Sequence, residues 1–337
     1  MKKVIQDIFD CWNEDGDFSG VFSVSGHDGV IYRQACGYRN MAEKLPNNPD
    51  TAFAIASGTK LFTALAVCKL IDSGRLSLSD RIWDLLPFDL MRISKDVTVF
   101  HLLTHTSGIG DYIDEETSSG YNDILKLYDN RPVHKWDTLE FYLPMFGDLP
   151  AKFKPGERTG YSNAGFILLG LVIESVSKQA YHQYITENII LPLELSHTGF
   201  YRMNSLPGNT AFGYVYDEAR EEYATNVLYM PIVGGSDGGI FTSADDLAKL
   251  WKGVFSDKIF SADMRGQFLM AHGGFGLGVY IKEQGKQKVY FTVGGDFGVD
   301  FFSAYFPQTG TVVSALGNTE KNTSPLLEQL TNTLAGE

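Results

Sequence analysis

The hydrophobic pattern changes character along the chain, and each change predicts an element. Residues 2 to 13 set apolar positions on one side of a short amphipathic helix. The run "GVFSVSGHDGVIYRQACGY" interleaves apolar and small polar residues on either side of His27-Asp28-Gly29, which predicts two strands joined by a tight turn. "FAIASGTKLFTALAV", residues 53 to 67, is apolar on nearly every face and predicts a buried helix that Gly74 ends. From about 76 to 225 short helical segments alternate with loops rich in Gly, Pro and Asn, and "AGFILLGLVIESVSK" is the strongest helix among them. After residue 230 comes a Gly-rich loop. A helix follows it, with Ser243 as N-cap and two Asp in the first turn. The runs "FGLGVYI", "QKVYFTV", "VDFFSAYF" and "TVVSAL" then predict four strands, and a last helix covers roughly 323 to 334. Strands at both ends of a helical middle predict an α+β chain. Its sheet domain is drawn from 1–75 and 226–337, and a mostly helical domain spans 76–225.

Composition narrows the partners more than the fold. The chain has 337 residues, 44% hydrophobic and 20% charged, enough for a sizeable core. Acidic residues outnumber basic ones, 41 to 28, for a net charge of −13, which argues against nucleic acid and anionic membrane surfaces. Three scattered cysteines, Cys11, Cys36 and Cys68, predict neither a disulfide framework nor a CxxC metal site. The opening "MKKVIQDIFDCWNEDG" lacks the apolar stretch and cleavage site of a signal peptide, and no run of about 18 apolar residues exists. The expectation is a cytoplasmic protein with no membrane span. Oligomeric state is left open.

The buried helix carries the chemistry. Ser57 and Lys60 stand three apart, so they share a helix face. A serine hydroxyl needs a base within reach to become a nucleophile, and a desolvated lysine loses its proton more easily. Ala56 and Gly58 beside the serine predict room for a substrate. The same Ser-x-x-Lys spacing also arises from a helix cap followed by a solvated lysine. A second motif shifts the balance. "KPGERTGYSNAGFILLG" places Tyr161 and Asn163 two apart in an extended lead-in to the second buried helix, so phenol and amide project together. A tyrosinate held near an ammonium is a general base. The competing reading is a turn with a helix-capping Asn.

With both motifs in place, the sequence resembles the serine β-lactamase and penicillin-binding-protein-like hydrolases, in their class C β-lactamase, D-aminopeptidase and esterase branch. Ser-x-x-Lys is that superfamily's nucleophile motif. Tyr-Ser-Asn is the form of the second motif typical of the class C branch. "DTAFAIASGTKLFTALAV", "LLTHTSGI", "FKPGERTGYSNAGFILLGLVIE" and "GGIFTSADDLAKL" also resemble family segments and stand in the family's order. The resemblance runs from about residue 20 to 316. It implies an antiparallel sheet flanked by helices, beside a mostly helical domain, with the site at their junction. It implies Ser57 as the acylated nucleophile, and Lys60 as its base or as the group that depresses the Tyr161 pKa. Tyr161 would shuttle protons, Asn163 would orient substrate, and the Ser57 N–H would form half of an oxyanion hole. Counted back from "VDFFSAYFP", the family's Lys-Thr-Gly or His-x-Gly segment falls on Thr292-Val293-Gly294, with the Gly295 N–H as the other oxyanion donor. A hydroxyl at Thr292 replaces the family's cation, which fits a neutral ester or amide better than a substrate carboxylate.

Other features are weighed and set aside. His101 and His105 are four apart but lack the Glu of H-E-x-x-H, and the resemblance makes their segment structural. No metal or cofactor is implied. His272 reads as a loop histidine, Asp237 as a solvated loop Asp near the site, and Tyr112 and Tyr121 as pocket candidates. The reading that emerges is a serine hydrolase acting through an acyl-enzyme on a small-molecule or short-peptide ester, β-lactam or D-aminoacyl bond. The alternative is a non-catalytic or single-turnover sensor on the same fold.

Overall fold

The computed structural model describes residues 1–117, 132–284 and 287–334. Strands β1 (Gly20–Gly26) and β2 (Gly29–Cys36) pair with β3 (Tyr280–Gln284), β4 (Gln287–Asp296), β5 (Val299–Phe306) and β6 (Thr311–Gly317). Together they form one antiparallel sheet in the order β2-β1-β6-β5-β4-β3. The chain's two ends thus meet at β1 and β6, where Val21 faces Leu316 and Ser23 faces Ser314. The β1–β2 turn sits where the sequence predicts it. The four late strands also form, but the first is shorter than its run: "FGLGVYI" enters the sheet only at Tyr280, because Gly276 and Gly278 pack against Phe268 and Ala64.

β1, β5 and β6 are buried nearly throughout because helices cover both faces of the sheet. On one face α1 (Lys2–Trp12) and the last helix, Ser324–Leu334, press Ile5, Phe9, Leu326 and Leu330 onto Phe22, Val24, Phe302 and Val313. On the other face lies a helix spanning Ala244–Val254. Ser243 caps it by accepting from the Asp246 N–H, as the sequence predicts. Its Trp251 indole donates to Ser303 (2.8 Å), which pairs with Ser314 (2.7 Å), so the small polar residues of these strands serve a buried tryptophan.

Beyond this helix lies the larger core. α2 (Thr59–Asp72) is buried from Thr59 to Cys68 and packs against α3 (Asn163–Ser177), itself buried from Asn163 to Ile173. Neither helix has a polar face, because each is enclosed by other elements. Tyr121 lies outside the described residues. Among the described residues no helix is long and apolar enough to cross a membrane.

Candidate active site

Ser57 does not lie in the body of α2 but in a 3-10 turn, Ala56–Gly58, that leads into it. Ala56 holds a φ of 43°, a left-handed conformation costly for a residue with a Cβ. Surrounding bonds hold the turn. The Thr59 hydroxyl donates to the Ala56 carbonyl (2.7 Å) and accepts from the Ile240 N–H (3.0 Å). Gly58 is small for packing, not for substrate: a Cβ there would lie 2.4 Å from the Phe301 ring. The backbone of β4 comes equally close. A Cβ on Gly294 would lie 2.2 Å from the Ile55 carbonyl oxygen and 2.9 Å from the Ser57 nitrogen.

One helical turn on, Lys60 is 4% exposed. Its Nζ lies 3.0 Å from Ser57 Oγ, 2.7 Å from Asn163 Oδ1 and 2.7 Å from the Asp237 carbonyl oxygen. The last two are acceptors only. A neutral amine at this spot gives them its two N–H bonds, and its lone pair is left for the Ser57 hydroxyl proton. Burial lowers the Lys60 pKa, and Asp237, Glu115, Asp111 and Asp296 partly oppose that shift.

The Tyr161-Ser162-Asn163 segment is placed by two residues that were not singled out as site residues in the sequence. The Asp111 carboxylate accepts from the Asn163 N–H (2.6 Å) and the Ala164 N–H (3.3 Å) at the start of α3. Burial pushes its pKa up to about 7 despite these bonds. The His105 Nδ1 accepts from the Ser162 N–H (3.1 Å), and its ring stacks on Tyr161 at 4.7 Å. Burial and the nearby Lys60 hold its pKa down to about 3, so the imidazole is neutral. His101 instead caps a short helix with Thr98. The capping residue of α3 is Ser162, which accepts from the Gly165 N–H, so the Asn163 side chain is free to meet Lys60.

The Tyr161 ring lies 5.0 Å from Lys60 Nζ. Burial and Glu115 push the phenol's pKa well above its ordinary value, and its contact with Ser57 pulls it back. The resting group is therefore a phenol, not the tyrosinate that the motif suggested. Asp237 also departs from expectation. It is buried, not solvated: its carbonyl holds Lys60, and its carboxylate accepts from the Tyr112 hydroxyl.

Ser57 and Tyr161 open into a cleft whose opposite wall is Val293, Gly294 and Gly295 of β4, with Glu115 and Tyr280 at its side. Thr292 is buried and pairs with Ser303 across the sheet. His272 lies in a loop, edge-on to Phe100. Among the described residues no group of three His, Cys, Asp or Glu is arranged to hold a metal ion.

A family model, beta-lactamase, matches residues 5–335 of this arrangement. The chain belongs to the beta-lactamase family. It is 32% identical over 275 residues to penicillin-binding protein 4* of Bacillus subtilis (strain 168), a match covering 77% of this chain and 57% of that protein. The chain thus spans little more than half the length of this curated relative. The crystal structure of a penicillin-binding protein from Bacillus halodurans is similar at a TM-score of 0.88 and 35% identity, covering 95% of this chain and 99% of that one. The octameric penicillin-binding protein homologue from Pyrococcus abyssi matches at 0.83 and 28% identity, over 99% of this chain and 77% of that one. Within this beta-lactamase fold, Ser57, Lys60, Tyr161 and Asn163 meet at one point, while Gly294 and Gly295 form the wall facing them.

Proposed function

We propose that this chain is a serine hydrolase that cleaves an ester or amide through an acyl-enzyme on Ser57. The observation that carries the reading is the placement of Lys60 Nζ, desolvated and 3.0 Å from Ser57 Oγ, with two pure acceptors on its other sides. In this reading the neutral Lys60 amine takes the hydroxyl proton as Ser57 Oγ attacks the carbonyl carbon. The Ser57 and Gly295 N–H groups receive the oxyanion. Tyr161, a phenol at rest, passes a proton from the Lys60 ammonium to the leaving group. A water then attacks the acyl carbonyl carbon; Tyr161 and Lys60 take its proton and pass it to Ser57 Oγ as the acyl–oxygen bond breaks and the acid leaves. Asn163 keeps Lys60 aimed and meets the substrate amide or carbonyl.

The expected substrates are small esters, β-lactams or D-aminoacyl bonds. Intact-protein mass spectrometry after exposure to penicillin and to p-nitrophenyl acetate tests the reading. An adduct on Ser57, absent in Ser57→Ala, is expected. Absence of both adduct and turnover with either compound sinks it. Thr292, standing where the family carries a cation, favours one second reading: a sensor that acylates once. A stable Ser57 adduct without turnover would select it.

A further inference from the structure

A groove of about 880 Å³, open to solvent, shares no lining residue with the Ser57 cleft. The loop 107–110 lines it, together with Arg92, Lys152 and Lys154. This loop joins His105 to Asp111, and its carbonyls are used. Those of His105, Thr106 and Gly108 accept from the Gly160, Gly156 and Lys152 N–H groups, each at 2.8 Å. Its amides are not used. Residues 107–110 are all buried, yet among the described residues none of their four N–H groups has a hydrogen-bond partner. Ser107 is 3% exposed, and its hydroxyl also lacks a partner among the described residues. Buried backbone N–H groups are nearly always paired, so four in a row beside a groove mark a place for an acceptor. Gly108 holds a φ of 65°, and successive N–H groups about a left-handed turn residue form concavities in which anions sit.

The charge around the groove has the matching sign, against a net charge of −13 for the whole chain. Lys152 is balanced by Asp114 at 2.7 Å and Glu116 at 3.4 Å. Arg92 and Lys154 are exposed, and among the described residues neither side chain pairs with a carboxylate. Glu157 also lines the groove, but its Oε2 is engaged by the Lys154 N–H (3.1 Å). Four N–H groups, a hydroxyl, a guanidinium fork and an ammonium exceed what the two oxygens of a carboxylate can use. They suit a tetrahedral oxyanion, which offers more acceptors. Ile93, Leu149 and Phe153 add apolar lining beside them.

We infer that this groove binds a phosphate or sulfate ester with a compact apolar body, its oxyanion held by the 107–110 amides, Ser107, Arg92 and Lys154. Nothing in the assignment uses Ser57, so it stands or falls apart from the hydrolase reading.

Isothermal titration calorimetry on the full chain at constant ionic strength tests this, with phenyl phosphate and phenyl sulfate as probes and benzoate and benzyl alcohol as controls. At least one of the two esters should bind about tenfold or more tighter than benzoate, and benzyl alcohol should give no binding heat. The tighter of the two identifies the ester. The double variant Arg92→Gln/Lys154→Gln removes two exposed charges and should weaken binding at least about tenfold. Ser107→Ala removes a hydroxyl that holds nothing in the fold, and should weaken binding about threefold or more. Circular dichroism confirms that each variant is folded. No binding of either ester at about 10 mM, benzoate binding as tightly as both, or an affinity unchanged in either variant overturns the inference.

Discussion

The two walls of the Ser57 cleft are built differently. On the helical side, nearly every polar atom is tied. Lys60 has three partners, Asn163 is fixed at both backbone and side chain, and His105 and Asp111 hold the segment between them. On the strand side, Val293, Gly294 and Gly295 line the cleft, and Thr292, two residues before Gly294 on the same strand, is buried. In the proposed reaction the helical wall would supply proton transfer, which tolerates little variation in geometry. In that reaction the strand wall would supply close approach and recognition. The contrast teaches that the two tasks separate physically, so a chain can keep its activating machinery and change what it accepts.

The comparison breaks most decisively at its centre. Ser57→Ala should lower ester turnover by about 10⁴-fold or more and abolish the covalent adduct, read by kinetics and mass spectrometry. Tyr161→Phe removes the proton shuttle but not the attack. It should lower kcat by roughly 10²–10³-fold while the acyl adduct still forms. Because burial lowers the Lys60 pKa, kcat/KM of the parent should rise with pH through a value below the ordinary 10.5, as the amine becomes the base. A rate independent of pH up to 10.5 would remove Lys60 from that role.

The strand wall should respond in selectivity, and more mildly. Thr292→Lys restores the family's cation, and penicillin acylation of Ser57 should gain about tenfold relative to p-nitrophenyl acetate. An unchanged ratio would show that this position no longer communicates with the cleft.

The last test concerns stability rather than turnover. His105 has a folded pKa of about 3 against 6.5 when exposed, so the unfolded chain alone takes up its proton between these values and stability falls as pH drops. Asp111, raised to about 7 from 3.8, works in the opposite sense: its folded form keeps a proton that the unfolded form loses, so stability falls as pH rises from 3.8 to 7. Between about pH 4 and 6.5 the two slopes oppose each other. His105→Asn removes one of them. Urea unfolding at pH 6.5 and 4.5 should show the variant gaining on the parent as pH falls, by at most about 1.4 kcal/mol per pH unit.

What the sequence could reveal follows the same division. Ser57 and Lys60 were legible because their distance is set within one turn of chain, and Tyr161 and Asn163 because two-residue spacing in an extended segment is equally local. The sheet was legible from its short strand runs, and the Ser243 cap from its flanking residues. Asp237 was misread because its burial comes from Tyr112 and Lys60, 125 and 177 residues away. His105 reads as structural in the sequence and Asp111 carries no motif, because their partners lie 57 and 52 residues on. Gly58 suggested space for a ligand, and only the position of Phe301 shows that the space is already filled. Tyr161 looked like a resting anion from its motif alone, but its protonation depends on enclosure, which no spacing records.

Ala56 has one more consequence. A residue that resists its own backbone angle stays there only while its surroundings insist, and here that insistence comes from the Thr59 tether to Ile240 and from the pressing strand at Gly294. Ser57, the proposed nucleophile, is thus held in place by neighbours rather than by its own segment. Gentle heating or low urea should disarm it first, with reactivity fading while far-ultraviolet circular dichroism still reports an intact molecule.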